Sequence, residues 1–404
     1  MADTTIESDG VCPAFPMRRE TKLDPPPEFS RWRAQRPLHR VKLWDGREAW
    51  AIVGYDAVRQ VIRDHKTFVS SPLAPGYPTL GEADEATKKS LLLTMIDPPL
   101  HSTHRSSVLR EFTVKAIEAL RPDAESIVFG LLDAMKQSGS PVDLVSALGG
   151  PVPAQFTCRL LGAPYEDADY FTERLGVRFS PDSSPGSVYG AEDGLREYFA
   201  DLVDDRLKAP QDDLISRLVT EHVRTGELTR KEAATILHIL LIGGFDTTKQ
   251  MISLGTLTLL ENPDQLAILR ANPSGWRNAV EEMLRYITMV QSERRACVAD
   301  TVIAGQKIRA GDGLLVMLSS ANRDESVFDS PETFDVERKA VRHLAFGSGI
   351  HQCLGQAVAR LLLHLVFPNL FEQLPDLRLA VPFESLSFRE NRPLFGVDEM
   401  LVEW

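Results

Sequence analysis

The stretch LTRKEAATILHILLIGGFDTTKQMISLGTLTLLEN (228–262) has the length and apolar content of a long buried helix. The rest of the chain has to pack around it. Thr229 can cap its start, with Glu232 three residues on, the pattern of a capping box. The middle breaks the rules of a good helix. Gly243 and Gly244 each cost about 1 kcal/mol against alanine in a helix interior. Asp246 and Thr247 are polar in an otherwise apolar face. A threonine hydroxyl can bond the carbonyl four residues back, here that of Gly243, and bend the helix. A local widening there predicts a groove with an acid and a hydroxyl beside it, and such defects recur at functional sites. The plain alternative is a helix–helix contact through the glycines, with Asp246 salt-bridged elsewhere.

The surrounding sequence reads as one large, mainly helical domain over residues 1–404, with a smaller β portion from both ends of the chain. The first 40 residues are rich in proline and charge, and residues 1–20 are expected to be flexible or to wrap the surface. VKLWDGREAWAIVGY (41–55) reads as a hairpin around a DG turn. Residues 56 to 290 are mostly helical in pattern, as in 56–65, 114–137 and 193–209. Two Pro/Gly/Ser-rich interruptions, 70–89 and 179–193, are expected to be mobile loops. Strand-like runs follow at 301–318, then a last helix over 355–374. The net charge of -12 argues against nucleic acid or an anionic membrane as a general partner. The N-terminus lacks the apolar core of a signal peptide, and no run is long enough to span a membrane, so a cytoplasmic location is expected.

The four cysteines, Cys12, Cys158, Cys297 and Cys353, are scattered with no CxxC pair, which argues against a disulfide framework or a zinc ribbon. Cys353 stands apart. It lies in FGSGIHQCLG (346–355), just before the last helix, where unsatisfied N–H groups and a partial positive charge favour a thiolate. The glycines allow close backbone approach or positive φ, and Phe346 can shield the sulfur. A lone shielded thiolate with space beside it suits one axial position of a haem iron. The rival readings are a nucleophilic cysteine and a buried cysteine in a glycine-rich turn.

This stretch resembles the haem-ligand loop of the cytochrome P450 family, F-x-x-G-x-x-x-C-x-G, with Phe346, Gly349, Cys353 and Gly355 at every fixed position. GGFDTT (243–248) resembles the family's oxygen-activation segment, and Glu282 and Arg285 of NAVEEMLRY resemble its E-x-x-R, with Pro331, Phe334 and Arg338 of PETFDVER at the matching place downstream. The closest general look is to soluble actinobacterial members that act on natural products. The resemblance implies a triangular helical prism with haem b between the long central helix and the cysteine-loop helix. It implies Cys353 as the iron ligand and Thr247 and Asp246 as the hydroxyl and acid that deliver protons to bound oxygen. His101 and Arg105 of DPPLHSTHR, Arg295 and His351 would hold the haem carboxylates, with Phe346, Gly347, Gly355, Gly243 and Gly244 against the haem. Glu282, Arg285 and Arg338 would hold the cysteine loop. His104 and His343 match no carboxylate position and read as ordinary surface or core histidines.

The implied activity is a monooxygenase that hydroxylates or epoxidises a small apolar substrate, a secondary metabolite such as a macrolide, polyketide, terpenoid or steroid-like compound. O2 is the co-substrate, and electrons come from a ferredoxin and its reductase to a monomer, with Arg110, Arg342 and Arg360 as candidate contacts. The alternatives are the same fold with other chemistry (peroxide use, nitric oxide reduction, oxidative coupling) or a non-catalytic haem sensor or binding module. By family layout, the 70–93 loop, the region around 170–190, the stretch 236–247, residues 287–293 and the turn at 392–396 surround the substrate. Leu93, Ile239, Leu240, Gly243, Val290, Leu394 and Phe395 form its apolar wall. Gln291, Glu293 and Arg294 are unusually polar there, and one of them is a candidate to orient a polar substrate; the alternative is that they face solvent at alternate positions.

Overall fold

The computed structural model describes the chain except residues 1–11, 83, 85–87, 89–90, 181 and 390–393. The central helix is present as Arg230–Leu260, with both halves of the Thr229/Glu232 capping box formed. Twenty of its 31 residues are buried, so it runs through the interior and not along the surface. Helices Pro185–Lys208, Pro151–Leu161, Trp276–Ile287 and Gln356–Gln373 pack against it. One apolar cluster joins all of them, while two smaller clusters lie under the sheet. No helix among the described residues is long and apolar enough to cross a membrane.

The β portion is a five-stranded sheet in the order Leu38–Lys42, Glu48–Ile52, Gly313–Val316, Glu293–Cys297, Phe68–Val69. The expected hairpin is there, but it starts at Leu38 and pairs Leu38 with Ile52 and Lys42 with Glu48. Burial of Leu38 and Val41 extends the first strand back into the proline-rich region. The run 301–318 divides in two. Thr301–Ile303 and Gln306–Ile308 form a small hairpin, and Gly313–Val316 joins the main sheet parallel to Glu48–Ile52. The C-terminal strand Leu401–Glu403 pairs with Val142–Asp143 and Arg378–Leu379.

Three expectations need correction. Residues 185–193 are not loop, because the helix Pro185–Lys208 begins there. Ser184 accepts from Ser187 N at 3.1 Å and Pro185 takes the first helical position, both helix-start signals hidden in a loop-like composition. The helix expected over 114–137 is two, Val114–Ala119 and Arg121–Ser138, broken at Leu120 just before Pro122. The proline-rich N-terminal region also contains a helix, Glu28–Gln35.

The fold turns on one buried charge cluster. Glu282 and Arg285 lie on one face of Trp276–Ile287, and their side chains are 0% exposed. Arg285 Nε and Nη2 donate to the two Glu282 oxygens at 2.7 and 2.8 Å, and its Nη1 donates to the carbonyls of Asn322 and Pro331. Arg338 Nε reaches Glu282 Oε1 at 3.1 Å and also donates to the carbonyls of Asp329, Ser330 and Thr333. Asn322 accepts from Leu344 N at 2.6 Å, two residues before the cysteine loop opens at Phe346. The cluster thus fixes the chain leading into that loop. Removing one member leaves a buried charge uncompensated. Arg285→Met is expected to lower unfolding free energy by about 3–5 kcal/mol in urea titration, and a loss under about 1 kcal/mol, the scale of a surface pair, would contradict this.

Candidate active site

The cysteine loop is a one-turn 3-10 helix, Gly349–His351, followed by Cys353 and the cap residue Gly355 of Gln356–Gln373. Gly347 and Gly349 have φ of 65° and 74°, the left-handed region that favours glycine. A Cβ at Gly349 would lie 2.6 Å from the Ile62 carbonyl oxygen. These two glycines fold the loop tightly against its neighbours. Cys353 N donates to the Phe346 carbonyl at 2.8 Å, and the Gly355 N–H is directed at the sulfur. The thiol pKa is nonetheless raised. Burial outweighs the opposing pull of the Gly355 N–H and of Arg105 and Arg360, so the expected helix-terminus effect loses. A coordinating cation is what makes such a thiol a thiolate.

Phe346 packs beneath the Arg360 guanidinium, 4.6 Å from the ring centre. Arg360 pairs with Glu281 at 2.6 Å, and His343 bonds the same carboxylate at 3.0 Å. Burial raises the Glu281 pKa, but these two partners more than reverse it and hold it at about 2. His343 is therefore a support of the cysteine loop. His104 lies 3.6 Å from Glu232. Arg110 is engaged by Glu111 and Glu221. Of the three arginines expected to meet a ferredoxin, Arg342 alone is exposed with no ion pair among the described residues.

The four candidate carboxylate binders gather around this loop. The rings of His101 and His351 lie 4.3 Å apart. Arg105 donates to the Gln352 carbonyl at 2.7 Å and has no carboxylate partner among the described residues. Arg295 is 5% exposed and pairs with Glu293 at 2.5 Å. His351 Nε2 contacts Ser70 Oγ at 3.0 Å. Burial lowers the His101 pKa to about 4, helped by Arg105, and that of His351 to about 3, helped by Arg295. His101 Nε2 is buried and has no hydrogen-bond partner among the described residues. An orphaned imidazole nitrogen, a guanidinium without a carboxylate and a lone half-buried cysteine are what a haem bearing two carboxylates would satisfy, so these residues fit that group.

In the central helix Thr247 Oγ1 donates to the Gly243 carbonyl at 2.6 Å, as expected. The helix nevertheless stays α-helical throughout, so the expected widening is not a change of helix type. Gly243 is exposed and a Cβ there meets nothing within 4 Å. Gly244 differs. A Cβ there would lie 2.4 Å from Thr157 Oγ1, so Gly244 lets the long helix approach helix Pro151–Leu161 closely. Asp246 is buried and accepts from Arg389 Nη1 at 2.7 Å, while Arg389 Nε donates to Asp398 at 2.7 Å. Nothing in the sequence around Arg389 marks it as a partner of Asp246. A cavity of about 410 Å³ between the long helix and helices Pro151–Leu161 and Ala168–Phe179 is lined by Phe245, Asp246, Lys249 and Arg389.

Among the expected wall residues, Ile239 and Leu240 are half-buried on the long helix, and Leu93 is buried in the turn Leu93–Met95. Val290 and Leu394 are joined by an antiparallel bridge. Parts of the expected lining at 70–93, 170–190 and 392–396 fall outside the described residues. Gln291 does not present a free amide. Its Nε2 donates to the Thr288 carbonyl and its Oε1 accepts from Arg19. Glu293 is engaged by Arg295, and Arg294 by Asp84 at 2.5 Å.

A glycine-bounded cysteine loop, two arginines and two histidines around it and a Gly–Asp–Thr notch in a long buried helix define a haem-thiolate enzyme. The chain belongs to the cytochrome P450 family. The family model for Cytochrome P450 matches residues 276–375. The pentalenic acid synthase of Streptomyces avermitilis is 40% identical over 392 residues, 97% of each chain. The vitamin D3 dihydroxylase of Streptomyces griseolus is 39% identical over 408 residues, 100% of each. The crystal structure of the mycinamicin VIII C21 methyl hydroxylase of Micromonospora griseorubida, bound to mycinamicin VIII, superimposes with a TM-score of 0.92 at 38% identity, over 97% of this chain and 100% of that one. The fold is that of a P450, with haem b, ligated by a cysteine thiolate, between the central helix and the cysteine-loop helix. The enzyme is a monooxygenase.

The two adjacent glycines give opposite expectations. Gly243→Ala meets no protein atom within 4 Å and should raise the stability of the haem-free protein by up to about 1 kcal/mol through helix propensity. Gly244→Ala should lower it by about 1–3 kcal/mol through overpacking against Thr157. Urea unfolding of both variants measures this, and equal effects would refute the assignment of Gly244 to a helix contact.

Proposed function

We propose that this enzyme inserts one oxygen atom into a small, mainly apolar secondary metabolite such as a macrolide, polyketide, terpenoid or steroid-like compound. The whole chain acts as one P450 domain, a cytoplasmic monomer supplied with electrons by a ferredoxin and its reductase. One atom of O2 enters a C–H or C=C bond and the other leaves as water, with two electrons from the ferredoxin and two protons from solvent. Bound through Cys353, the haem supplies O2 binding and cleavage, the thiolate's electron density favouring the latter. The names of the relatives, which refer to pentalenic acid, vitamin D3 and mycinamicin VIII, support the substrate class.

The observation that carries the reading is the Thr247–Gly243 hydrogen bond beside an open Gly243. With its own proton directed at the Gly243 carbonyl, Thr247 Oγ1 presents only lone pairs. It therefore orients a donor, such as a water, at the notch. Asp246 lines the 410 Å³ cavity, with Lys249 of the same helix, so a proton entering from there has an acid within reach. Arg389 holds one of its oxygens, leaving the other for the relay. Cys353 supplies the thiolate, His101, Arg105, Arg295 and His351 bind the haem carboxylates, and Ile239, Leu240, Val290 and Leu394 exclude water from the reacting bond. Arg342 is the remaining candidate for ferredoxin contact.

A library of apolar natural products, screened against the ferric enzyme for conversion from low to high spin, should yield binders. With such a binder and a ferredoxin–reductase pair, Thr247→Ala should lose product formation by about tenfold or more and divert electrons to peroxide. Unchanged product with no added peroxide would refute the role of Thr247, and a screen with no binder would refute the substrate class.

A further inference from the structure

The N-terminal arm meets the segments that carry Val290 and Leu394 through Arg19. Arg19 is half-buried, and its Nη2 donates to Gln291 Oε1 at 2.7 Å. Its guanidinium also lies 3.8 Å from the centre of the Phe395 ring. Gln291 directly follows Val290, and Phe395 directly follows Leu394, the two wall residues joined by the antiparallel bridge. Successive side chains of extended backbone point to opposite faces. Arg19 therefore touches both segments one residue along from Val290 and Leu394, the pair assigned above to the wall. Its own position is fixed, because Nη1 donates to the Leu23 and Asp24 carbonyls at 3.2 and 2.5 Å.

Both segments depend on such a hold. Thr288 has φ 39°, a left-handed conformation that a β-branched residue adopts only under constraint. The Thr288 carbonyl accepts from Gln291 Nε2, so one Gln291 amide ties the strained turn on one side and Arg19 on the other. On the partner segment, Phe395 N donates to the Met289 carbonyl at 3.2 Å and the Phe395 ring stacks on Phe388 at 5.8 Å. A guanidinium suits this place, since its edge can meet an amide oxygen while its face covers an aromatic ring. An ammonium cannot do both.

We propose that Arg19 is a positioning residue for the distal pocket, setting how far Val290 and Leu394 project and hence which bulky ligands fit. The inference rests on the wall assigned above. Its test uses the haem-loaded enzyme and two iron-binding probes. Imidazole reports on the iron alone, and 4-phenylimidazole adds a phenyl ring that reaches the wall. Arg19→Ala should weaken 4-phenylimidazole about tenfold in a Soret titration and change imidazole by less than about twofold. Arg19→Lys should fall between, and Arg18→Ala, at an exposed neighbour, should change neither. Gln291→Leu breaks the same bond from the other side and should weaken 4-phenylimidazole as well. Wild-type affinity in both Arg19→Ala and Gln291→Leu would overturn the proposal, as would equal weakening of both probes. If neither azole shifts the Soret band of the unmodified protein, the haem-thiolate reading itself fails, a result distinct from failure of the clamp.

Discussion

Two positive charges and one negative charge, a fully buried pair capped by the partly buried Arg338, hold this enzyme's working parts in register. Glu282, Arg285 and Arg338 could not be buried singly, because each charge costs several kcal/mol to desolvate. Together they satisfy one another, and their remaining donors fix the carbonyls of Asn322, Asp329, Ser330, Pro331 and Thr333. Asn322 then passes the constraint in two directions. Its oxygen accepts from Leu344 N, at the entry to the cysteine loop, and its amide donates to Thr288 Oγ1, at the turn that carries Val290. The segment behind the iron ligand and the segment facing substrate hang from one anchor.

The two sides of the haem site are built by contrasting means. Around Cys353 the chain is tightly folded, with positive-φ glycines in the loop and Phe346, Arg360, Glu281 and His343 linked against it. Burial raises the Cys353 thiol pKa against the pull of the Gly355 N–H, Arg105 and Arg360, and a bound cation is what would favour its thiolate form. On the central helix the polar groups are held but still serviceable. Thr247 keeps its lone pairs, and Asp246 lies between Arg389 and a cavity.

Much of this was legible in the sequence because its chemistry is local. The cysteine loop, the Thr247-to-Gly243 bond and the Glu282–Arg285 pair each lie within a ten-residue window, where spacing alone determines which groups can meet. The capping box at Thr229 was legible for the same reason. What escaped is long-range. Gly244 reads like Gly243 until Thr157 is brought against it. Arg389 is 143 residues from Asp246, and Arg19 is 272 from Gln291. The polar run 291–294 invited a substrate role, but each of its charged or amide groups has a partner within the protein. The helix start at Ser184 and Pro185 was hidden differently, since cap residues and loop residues share one composition.

The account stands or falls on Cys353 as the single protein ligand of a haem iron. The measurement that tests it most directly is the absorption spectrum of the reduced, haem-loaded protein under carbon monoxide. The unmodified enzyme should show the strongly red-shifted Soret band of a thiolate-ligated ferrous carbonyl complex, and Cys353→Ala should lose it. Absence of that band from the unmodified protein, or its survival in Cys353→Ala, would contradict the account.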